Sequence, residues 1–459
     1  MYAMGGLWFE SALLPQGWAR QVRLTASDGR IAEVSTGVAP GADDERHGIA
    51  LPGLPNLHSH AFQRGLAGLT ERRGAQGDSF WTWRELMYRF VERLDPEQLE
   101  ALSALAFVEM LEAGFTHVGE FHYLHHDREG APFADPGELA SRVVAAAAST
   151  GIGLTLLPTL YAHSGFGGAP PSARQRRFIS DPERFARIVE ASRKAVASLS
   201  FGSCGVAAHS LRAVTPAELA AVIAIAHGGL IHLHIAEQTR EVEECLAWCG
   251  RRPVQWLLEN CPVDERWCLV HATHASVAEL HEVAARGAVV GLCPVTEASL
   301  GDGIFPAGEF LGAAGRIGIG SDSNIRVDAA EELRTLEYSQ RLALRARNVL
   351  AREPGASTGR SLFELALGGG WQALRPGKPT GVPGIAPGEP FDVVTLSPAS
   401  VDLIGREGDE LLDSWIFAAG RGLIDCVWRA GIKRVSGGRH RERAGIERRY
   451  AAALRTLLA

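Results

Sequence analysis

The pattern of hydrophobic and polar residues differs between the first fifty residues and the rest of the chain. The first fifty residues contain short apolar runs and turn signals, which predict β-strands without helices. We place these strands at Leu7–Leu14, Gln21–Thr25 and Arg30–Ser35, the last directly after the turn signal Asp28-Gly29. From Leu51 onward, short apolar runs that end in polar residues alternate with segments of helical period. That alternation predicts βα units around a parallel sheet.

Eight apolar runs in this second part have the length of barrel strands. We predict strands at Ala50–His60, Thr116–Tyr123, Gly153–Tyr161, Cys204–Ser210, Leu230–Glu237, Trp267–Thr273, Ala288–Val295 and Arg316–Asp322. Helix signals separate them: Asp95 and Pro96 cap a periodic run that stops at Gly114. Thr215 and Glu218 form a capping box at the start of another helix. The sequence therefore predicts the α/β class and a (β/α)₈ TIM barrel.

The strand pattern returns after about Pro376, at Phe391–Leu396 and Ile424–Arg429. We expect both chain ends to build one small β-sandwich domain, from residues 1–49 and 376–459, with the barrel at 50–375. The second part also carries a terminal helix. Its charged stretch Arg439–Arg449 is interpreted as a solvated helix face.

Length and composition are those of a globular protein. The 459 residues fit a barrel with a smaller appendage, and 46% hydrophobic with 22% charged residues argues against disorder. The net charge is −7 and basic residues are dispersed among acidic ones. A nucleic acid or an anionic membrane is therefore not expected as a partner.

Cysteine usage and the absence of long apolar runs predict a cytoplasmic location. The seven cysteines form no CxxC pair, and their odd number argues against a fully paired disulfide framework. The segment Met1–Trp18 lacks the basic start and the uninterrupted apolar core of a signal peptide. No later stretch reaches about 18 consecutive apolar residues, so we expect no membrane-spanning helix.

Two histidines end the first predicted barrel strand. Because side chains alternate along a strand, His58 and His60 point to the same side and can bind one metal ion together. The ends of the fifth and eighth strands supply His234 and Asp322, and barrel enzymes build their sites at these ends. An Asp at this position could instead cap the next helix.

The fifth strand also carries His232, which has the same parity as His234. We favour His234 as the ligand because it lies nearer the strand end, and interpret His232 as a hydrogen-bonded core residue. Three imidazoles and one carboxylate suit Zn²⁺ better than Ca²⁺ or Mg²⁺, with Fe²⁺ as an alternative. Such a metal lowers the pKa of bound water towards about 7, which predicts a hydrolase.

Other polar residues lie near the same predicted strand ends. Glu237 follows His234 in an HxxE pattern, and His271 ends the sixth strand as a candidate proton-handling group. The cluster His122, His125 and His126 is left unassigned, with a structural role favoured. Cys293 is interpreted as a packed residue.

These residues resemble the amidohydrolase superfamily: HxH on strand one, His on strands five and six, and Asp on strand eight. Members of that superfamily often bridge two metals with a modified lysine on strand four. Here strand four ends in Ala207-Ala208-His209-Ser210, so the resemblance implies a single metal. The HxxE pair is similar to that of the deaminase branch, where the Glu carries protons to the leaving nitrogen.

Several stretches resemble the formimidoylglutamate deiminase family within that branch. They are His60–Gly65, Phe80–Arg84, Tyr161–Phe178 and His209–Arg212. The resemblance implies hydrolysis of N-formimino-L-glutamate to N-formyl-L-glutamate and ammonia, in histidine degradation. It implies that Asp322 takes a proton from water, that Glu237 protonates the imino nitrogen and that His271 stabilises the developing charge.

A substrate with two carboxylates requires cationic donors near the metal, since arginine matches a carboxylate through two parallel hydrogen bonds. The expected substrate contacts are Gln63, Arg84, Tyr123, His209 and Arg212. For either arginine alone, a surface position or a structural ion pair is an alternative. Trp81 and Trp83 either line the pocket or pack under a loop.

Two other functions stay open at this stage. A related deaminase acting on a purine or another cyclic amidine predicts aromatic and amide contacts to a flat ring. A catalytically silent barrel predicts lost metal ligands, whereas this chain keeps all of them. We also expect a homodimer, because relatives are often dimers, and the loop carrying Arg84 could complete a neighbour's pocket.

Overall fold

The structure is a computed structural model that describes residues 6–74, 77–375 and 383–459. The strands are β1 (Leu7–Leu14), β2 (Gly17–Ser27), β3 (Arg30–Ser35), β4 (Glu45–Pro52), β5 (Leu54–Ser59), β6 (Phe115–His122), β7 (Gly153–Leu160), β8 (Ser203–Cys204), β9 (Val206–Ser210), β10 (Ile231–Ile235), β11 (Trp267–His271), β12 (Val289–Leu292), β13 (Arg316–Ile319), β14 (Val393–Leu396), β15 (Ile424–Arg429), β16 (Ile432–Ser436) and β17 (Arg439–His440). The predicted domain boundary at Pro376 lies outside the described residues.

The helices alternate with these strands through the middle of the chain. They are α1 (Phe80–Val91), α2 (Pro96–Glu112), α3 (Glu138–Thr150), α4 (Pro182–Val196), α5 (Pro216–Ile225), α6 (Thr239–Cys249), α7 (Pro253–Asn260), α8 (Val277–Ala285), α9 (Pro294–Leu300), α10 (Ala307–Gly312), α11 (Ala329–Leu344), α12 (Thr358–Leu374), α13 (Glu410–Ser414) and α14 (Arg443–Leu458). The side chain of Asp95 caps α2 and that of Thr215 caps α5, as predicted. Among the described residues, no helix is long and apolar enough to cross a membrane.

The predicted TIM barrel is confirmed. Its eight strands run in the order β5, β6, β7, β9, β10, β11, β12, β13, and neighbouring strands are parallel. The barrel closes where Ser59 pairs with Asp322. At this seam the amide of Ser321 donates to the carbonyl oxygen of His58.

The first predicted strand, Ala50–His60, is wrong as one element. The chain leaves the small sheet at Pro52 and enters the barrel at Leu54. Gly53 lies between them, and a β-carbon there would come within 2.2 Å of the Thr116 side chain on β6. Only glycine allows this close approach. The apolar run is continuous because both sides of the junction are buried.

The two chain ends form one continuous sheet, in the order β17, β16, β15, β14, β4, β1, β2, β3. The bounds of β1, β3 and β15 match the predicted ones. The side chains of Phe9, Val22, Leu24, Ile31 and Trp428 contribute to the core of this sheet. The additional β domain is therefore built from both chain ends, as expected.

The charged segment near the C-terminus differs from its prediction. Residues Arg439 and His440 form a strand, and the helix begins only at Arg443. Arg443 then forms an ion pair with Glu112 of α2, with Nη1 and Oε2 2.5 Å apart. A part of the predicted solvated face is thus an interface with the barrel.

Candidate metal centre and active site

Four side chains converge where the first, fifth and eighth barrel strands end. They are His58, His60, His234 and Asp322; all are buried, and one ligand atom from each lies within 4.8 Å of the others. The Nε2 atom of His58 lies 3.2 Å from that of His60 and 3.0 Å from that of His234. Oδ1 of Asp322 lies 3.2 Å from Nε2 of His60. The structure thus brings the four predicted metal ligands together.

Hydrogen bonds fix the orientation of two of the imidazoles. Nδ1 of His60 donates to the carbonyl oxygen of Phe121, and Nδ1 of His234 donates to that of His209, each at 2.9 Å. Because a carbonyl oxygen only accepts, both neutral rings carry their proton on Nδ1. The Nε2 lone pair then faces the cluster, as in metal-binding histidines.

The protonation states of the cluster suit a cation. Burial lowers the pKa of His58 to about 3, although a hydrogen bond with Asp322 opposes this. Burial also lowers the pKa of His60 and of His234. Burial raises the pKa of Asp322, but the hydrogen bond with His58 and the nearby histidines outweigh it, so the pKa is below its ordinary value. Neutral imidazoles and an ionised carboxylate are the forms that ligate metals.

The donor set fits one divalent transition metal. It offers three nitrogen atoms and one carboxylate oxygen, whereas Ca²⁺ and Mg²⁺ prefer mostly oxygen ligands. The fourth barrel strand is β9, and its end carries His209. The ring centroid of His209 lies 5.0 Å from that of His234. The residues of β9, Val206–Ser210, include no lysine.

The turns that present the site have unusual backbone angles. The φ angles are 49° at Ala236, 68° at His271 and 41° at Asp322. Residues other than glycine rarely adopt this left-handed conformation, which costs about 1–3 kcal/mol and is concentrated at functional sites. All three residues lie at the carboxyl ends of barrel strands, where the loops reach over the cluster.

Glu237 and His271 face each other at the edge of the cluster. Oε1 of Glu237 lies 3.9 Å from Nε2 of His271, which lies 3.7 Å from Oδ2 of Asp322. Burial lowers the pKa of His271, but Glu237, Glu297 and Asp322 outweigh it and raise the pKa to about 10. Burial raises the pKa of Glu237 to about 7, although His271 and Arg212 oppose this. A carboxyl able to exchange protons near neutral pH thus lies beside a cationic imidazole.

A cavity extends from the cluster to α1. The lining residues include Phe80, Trp83, Arg84, Met87 and Tyr88 from α1, and Gln63, Tyr123, Tyr161, His209 and Arg212 from the ends of barrel strands and the segments after them. Gln63 donates from Nε2 to the Tyr123 hydroxyl at 3.0 Å. All five predicted substrate contacts therefore line one cavity beside the metal ligands.

The two predicted arginines differ in their surroundings. Arg212 is only 5% exposed, and within the described ranges its Nε–H has no hydrogen-bond acceptor. Its ion-pair partner is Glu241, 4.0 Å away, which is beyond hydrogen-bond distance. Arg84 lies over the ring of Trp81, 4.6 Å from its centroid, and its buried Nε likewise lacks an acceptor in the described part of the chain. Both guanidiniums retain donors for a ligand.

Comparison with known proteins places this geometry in a family. Residues 49–431 match the model described as the amidohydrolase family, and residues 7–48 match the model of the formimidoylglutamate deiminase HutF N-terminal domain. A formimidoylglutamate deiminase from Pseudomonas aeruginosa is 51% identical over 456 residues, which cover 99% of each chain. The chain belongs to the amidohydrolase family and, within it, to the formimidoylglutamate deiminases.

Further relatives agree with this assignment. The crystal structure of an amidohydrolase from Brucella melitensis is 53% identical, has a TM-score of 0.95, and is matched over 99% of this chain and 100% of that chain. An 8-oxoguanine deaminase from Pseudomonas aeruginosa is 28% identical over 465 residues, covering 95% of each chain. Similarity to the formimidoylglutamate deiminase is therefore much higher than similarity to this purine deaminase.

Several histidines of this amidohydrolase lie away from the metal ligands. Nε2 of His232 donates to the carbonyl oxygen of Ala373 at 2.9 Å, which is the core role that the sequence suggested. Nε2 of His125 donates a hydrogen bond to the carbonyl oxygen of Thr159, and Nε2 of His126 donates to that of Ile179.

His122 and Cys293 are also buried. Burial lowers the pKa of His122 to about 4, with a smaller effect of His60. Its ring lies 5.4 Å from that of His125. Burial raises the pKa of Cys293, and its Sγ lies within 4.8 Å of one ligand atom each of His271 and Asp322. Neither residue is among those that line the cavity.

Sequence reasoning missed several residues around the site. Glu297 accepts a hydrogen bond from Nδ1 of His271 at 3.0 Å, and Glu241 accepts from the backbone amides of Ala236 and Glu237. Each glutamate lies in the first turn of the helix that follows a site strand. That position was the available signal for both. Tyr88 and Tyr161 line the cavity as well, but they carry no local signal.

Trp81 and Trp83 have different surroundings, and only Trp83 has one of the roles that the sequence left open. Trp83 lines the cavity. Trp81 instead contacts guanidinium groups, with Arg84 and Arg240 each 4.6 Å and Arg212 5.5 Å from its ring centroid. Cation–π contacts of this kind hold the arginines in place.

Proposed function

We propose that this protein hydrolyses N-formimino-L-glutamate to N-formyl-L-glutamate and ammonia, in the degradation of histidine. The observation that carries the proposal is the buried Arg212, which has a free donor and lines one cavity with Glu237 and with His60, His234 and Asp322 of the cluster. A buried donor without a hydrogen-bond acceptor is costly unless a ligand supplies one. The 51% identity to a formimidoylglutamate deiminase supports the same substrate.

Zinc is the proposed metal, with Fe²⁺ as the alternative. Nitrogen-rich sites with one carboxylate are typical of catalytic zinc. When bound to His58, His60, His234 and Asp322, the metal would lower the pKa of water and so supply a nucleophile at neutral pH. Metal analysis of the purified protein tests this proposal directly.

The chain's own residues then handle the protons. Asp322 accepts a proton from the attacking water through its free oxygen. Glu237, whose pKa of about 7 allows it to exist in both protonation states, protonates the imino nitrogen of the substrate. The cationic His271 stabilises the charge that develops in the tetrahedral intermediate. Glu237 then takes the proton of the new hydroxyl group and passes it to the amino nitrogen, so that the C–N bond breaks, ammonia leaves and the formyl C=O bond forms. The proton held by Asp322 returns to Glu237 and restores both carboxyl groups.

The substrate's two carboxylates account for the cationic side of the cavity. Arg84 and Arg212 would each bind a carboxylate through paired N–H donors. Gln63, Tyr123 and His209 would bind the remaining polar atoms. Because both arginines have unsatisfied Nε–H groups, substrate binding would supply the missing acceptors.

Ammonia release separates this proposal from its rivals. Ammonia should be released from N-formimino-L-glutamate and not from a panel of purines that includes 8-oxoguanine. Release from a purine alone would favour a purine deaminase. A protein that binds no stoichiometric metal would favour a catalytically silent barrel.

A cytoplasmic homodimer is the expected working form. All seven cysteines are free, which suits a reducing compartment. Arg84 lies on α1 near the cavity of its own chain, so a neighbour's contribution is not required to complete the pocket. Sedimentation analysis of the purified protein tests the dimer.

A further inference from the structure

One buried carboxylate lies beside both the backbone of Glu237 and the side chain of Arg212. Glu241 lies in the first turn of α6 and is fully buried. Its Oε1 accepts from the amide of Ala236 at 3.1 Å, and its Oε2 accepts from the amide of Glu237 at 3.2 Å. The same Oε2 lies 4.0 Å from Nε of Arg212. One side chain thus connects the proton carrier with the substrate-binding arginine.

The contact with the two amides suits a carboxylate in particular. Ala236 has a left-handed φ of 49°, which turns successive N–H groups towards the same side. Such a concave pair of N–H groups binds an anion. A carboxylate can accept from both amides at once, whereas a glutamine amide accepts through one oxygen and presents its NH₂ group to the other N–H.

The contact with Arg212 is electrostatic and not a hydrogen bond. Burial lowers the pKa of Arg212, but the negative charges of Glu241 and Glu237 outweigh this effect and raise the pKa above its ordinary value. Because the Glu241 oxygen is 4.0 Å away, it balances the positive charge and leaves the Nε–H donor free. A closer carboxylate would occupy the donors that a substrate carboxylate needs.

We propose that Glu241 is a positioning residue for this reaction. It fixes the backbone that carries Glu237 and balances the charge of Arg212 without using that residue's hydrogen-bond donors. The inference rests on the proposed deiminase function.

Two substitutions at this position separate the two roles. Glu241→Gln keeps the length and removes the charge, so one amide contact is lost and Arg212 loses its counterion. Turnover per bound metal should fall about tenfold to a hundredfold. The affinity for N-formyl-L-glutamate should rise about threefold to tenfold, because the ligand's carboxylate is no longer repelled by a fixed negative charge beside Arg212. A purely structural role would not move turnover and affinity in opposite directions.

Glu241→Asp keeps the charge and withdraws the oxygens from the amides. Turnover should fall to a similar extent, while the affinity for N-formyl-L-glutamate stays within twofold of the parent. The control is Glu243→Gln, an exposed residue of the same helix, which should leave both quantities unchanged.

The measurements are ammonia release from N-formimino-L-glutamate, titration calorimetry with N-formyl-L-glutamate, metal content and thermal unfolding. Parental turnover and affinity in the folded Glu241→Gln variant, with only a lower unfolding temperature, would overturn the proposal. If that variant does not fold, parental turnover in Glu241→Asp overturns it equally. A parent that binds N-formyl-L-glutamate and releases no ammonia would contradict the proposed function, while the affinity of Glu241→Gln still decides this inference.

Discussion

His60 and Asp322 are joined both through the backbone and through their side chains. The amide of His60 donates to the carbonyl oxygen of Asp322 at 2.9 Å, and Nε2 of His60 lies 3.2 Å from the Asp322 carboxylate. This contact belongs to the seam that closes the barrel between β5 and β13. His60 and Asp322 are therefore held together by the closure of the barrel.

Substitution of the metal ligand His234 should remove the metal, whereas substitution of its neighbour His232 should only lower stability. His234 and His232 lie on the same strand, but only His234 belongs to the cluster. His234→Ala should lose most of the bound metal. His232→Ala should keep the metal and lower the free energy of unfolding by about 1–3 kcal/mol, because the carbonyl oxygen of Ala373 loses its donor. Metal analysis and chemical denaturation of both variants check this, and full metal content in His234→Ala would contradict the assignment.

Glu237→Gln should nearly abolish turnover and spare metal content. The amide keeps the size of the side chain and cannot carry the proton to the imino nitrogen, so kcat should fall about a hundredfold to ten-thousandfold. The measurement is ammonia release per bound metal, with Glu243→Gln as the exposed control on α6. Near-normal turnover in Glu237→Gln would remove this residue from the proposed mechanism.

The sequence predicts the barrel and the metal ligands for the same physical reason. Parallel strands expose their carboxyl ends on one face of the barrel, so polar residues that end predicted strands meet there. His58, His60, His234 and Asp322 all have this placement, and they do converge. Strand ends are local features, which is why one chain without a structure suffices to find them.

The positions of strand ends do not predict the contacts that helix residues make, nor the junction between the two sheets. Glu297 acts through His271, a partner that the folded barrel brings near it. Glu241 is close in sequence to Ala236 and Glu237, but its place beside Arg212 depends on the fold. The sequence pattern does not predict the break between the two strands at Gly53, because the apolar run continues from the small sheet into the barrel. Its cause is the close approach of Thr116, a residue of another strand.

Arg212→Met should weaken substrate binding more than it slows the chemical step. The change keeps the apolar stem and removes the guanidinium, so KM for N-formimino-L-glutamate should rise about tenfold to a hundredfold. Analogues in which either carboxylate is an amide provide an internal test. The analogue that lacks the Arg212 partner should be bound almost equally by parent and variant. Arg187→Met, at an exposed position of α4, is the control, and an unchanged KM in Arg212→Met would contradict the assignment.

Buried histidines should make the protein sensitive to acid, and His117 tests this away from the metal centre. Burial lowers its pKa well below the ordinary value, and the nearby Arg429 and Arg375 lower it further. As the pH falls below about 6.5, the unfolded chain gains a proton that the folded one does not, so the free energy of unfolding decreases.

His117→Gln removes this linkage. The stability difference between parent and His117→Gln should shift by about 2 kcal/mol between pH 7.5 and pH 5, with the parent losing more. Denaturation curves at the two pH values measure the shift. His281→Gln, at an exposed position on α8, serves as the control. A difference for His117→Gln that stays constant with pH would mean that this histidine takes up a proton as readily in the folded protein as in the unfolded chain, against the effect of its burial and of the two arginines.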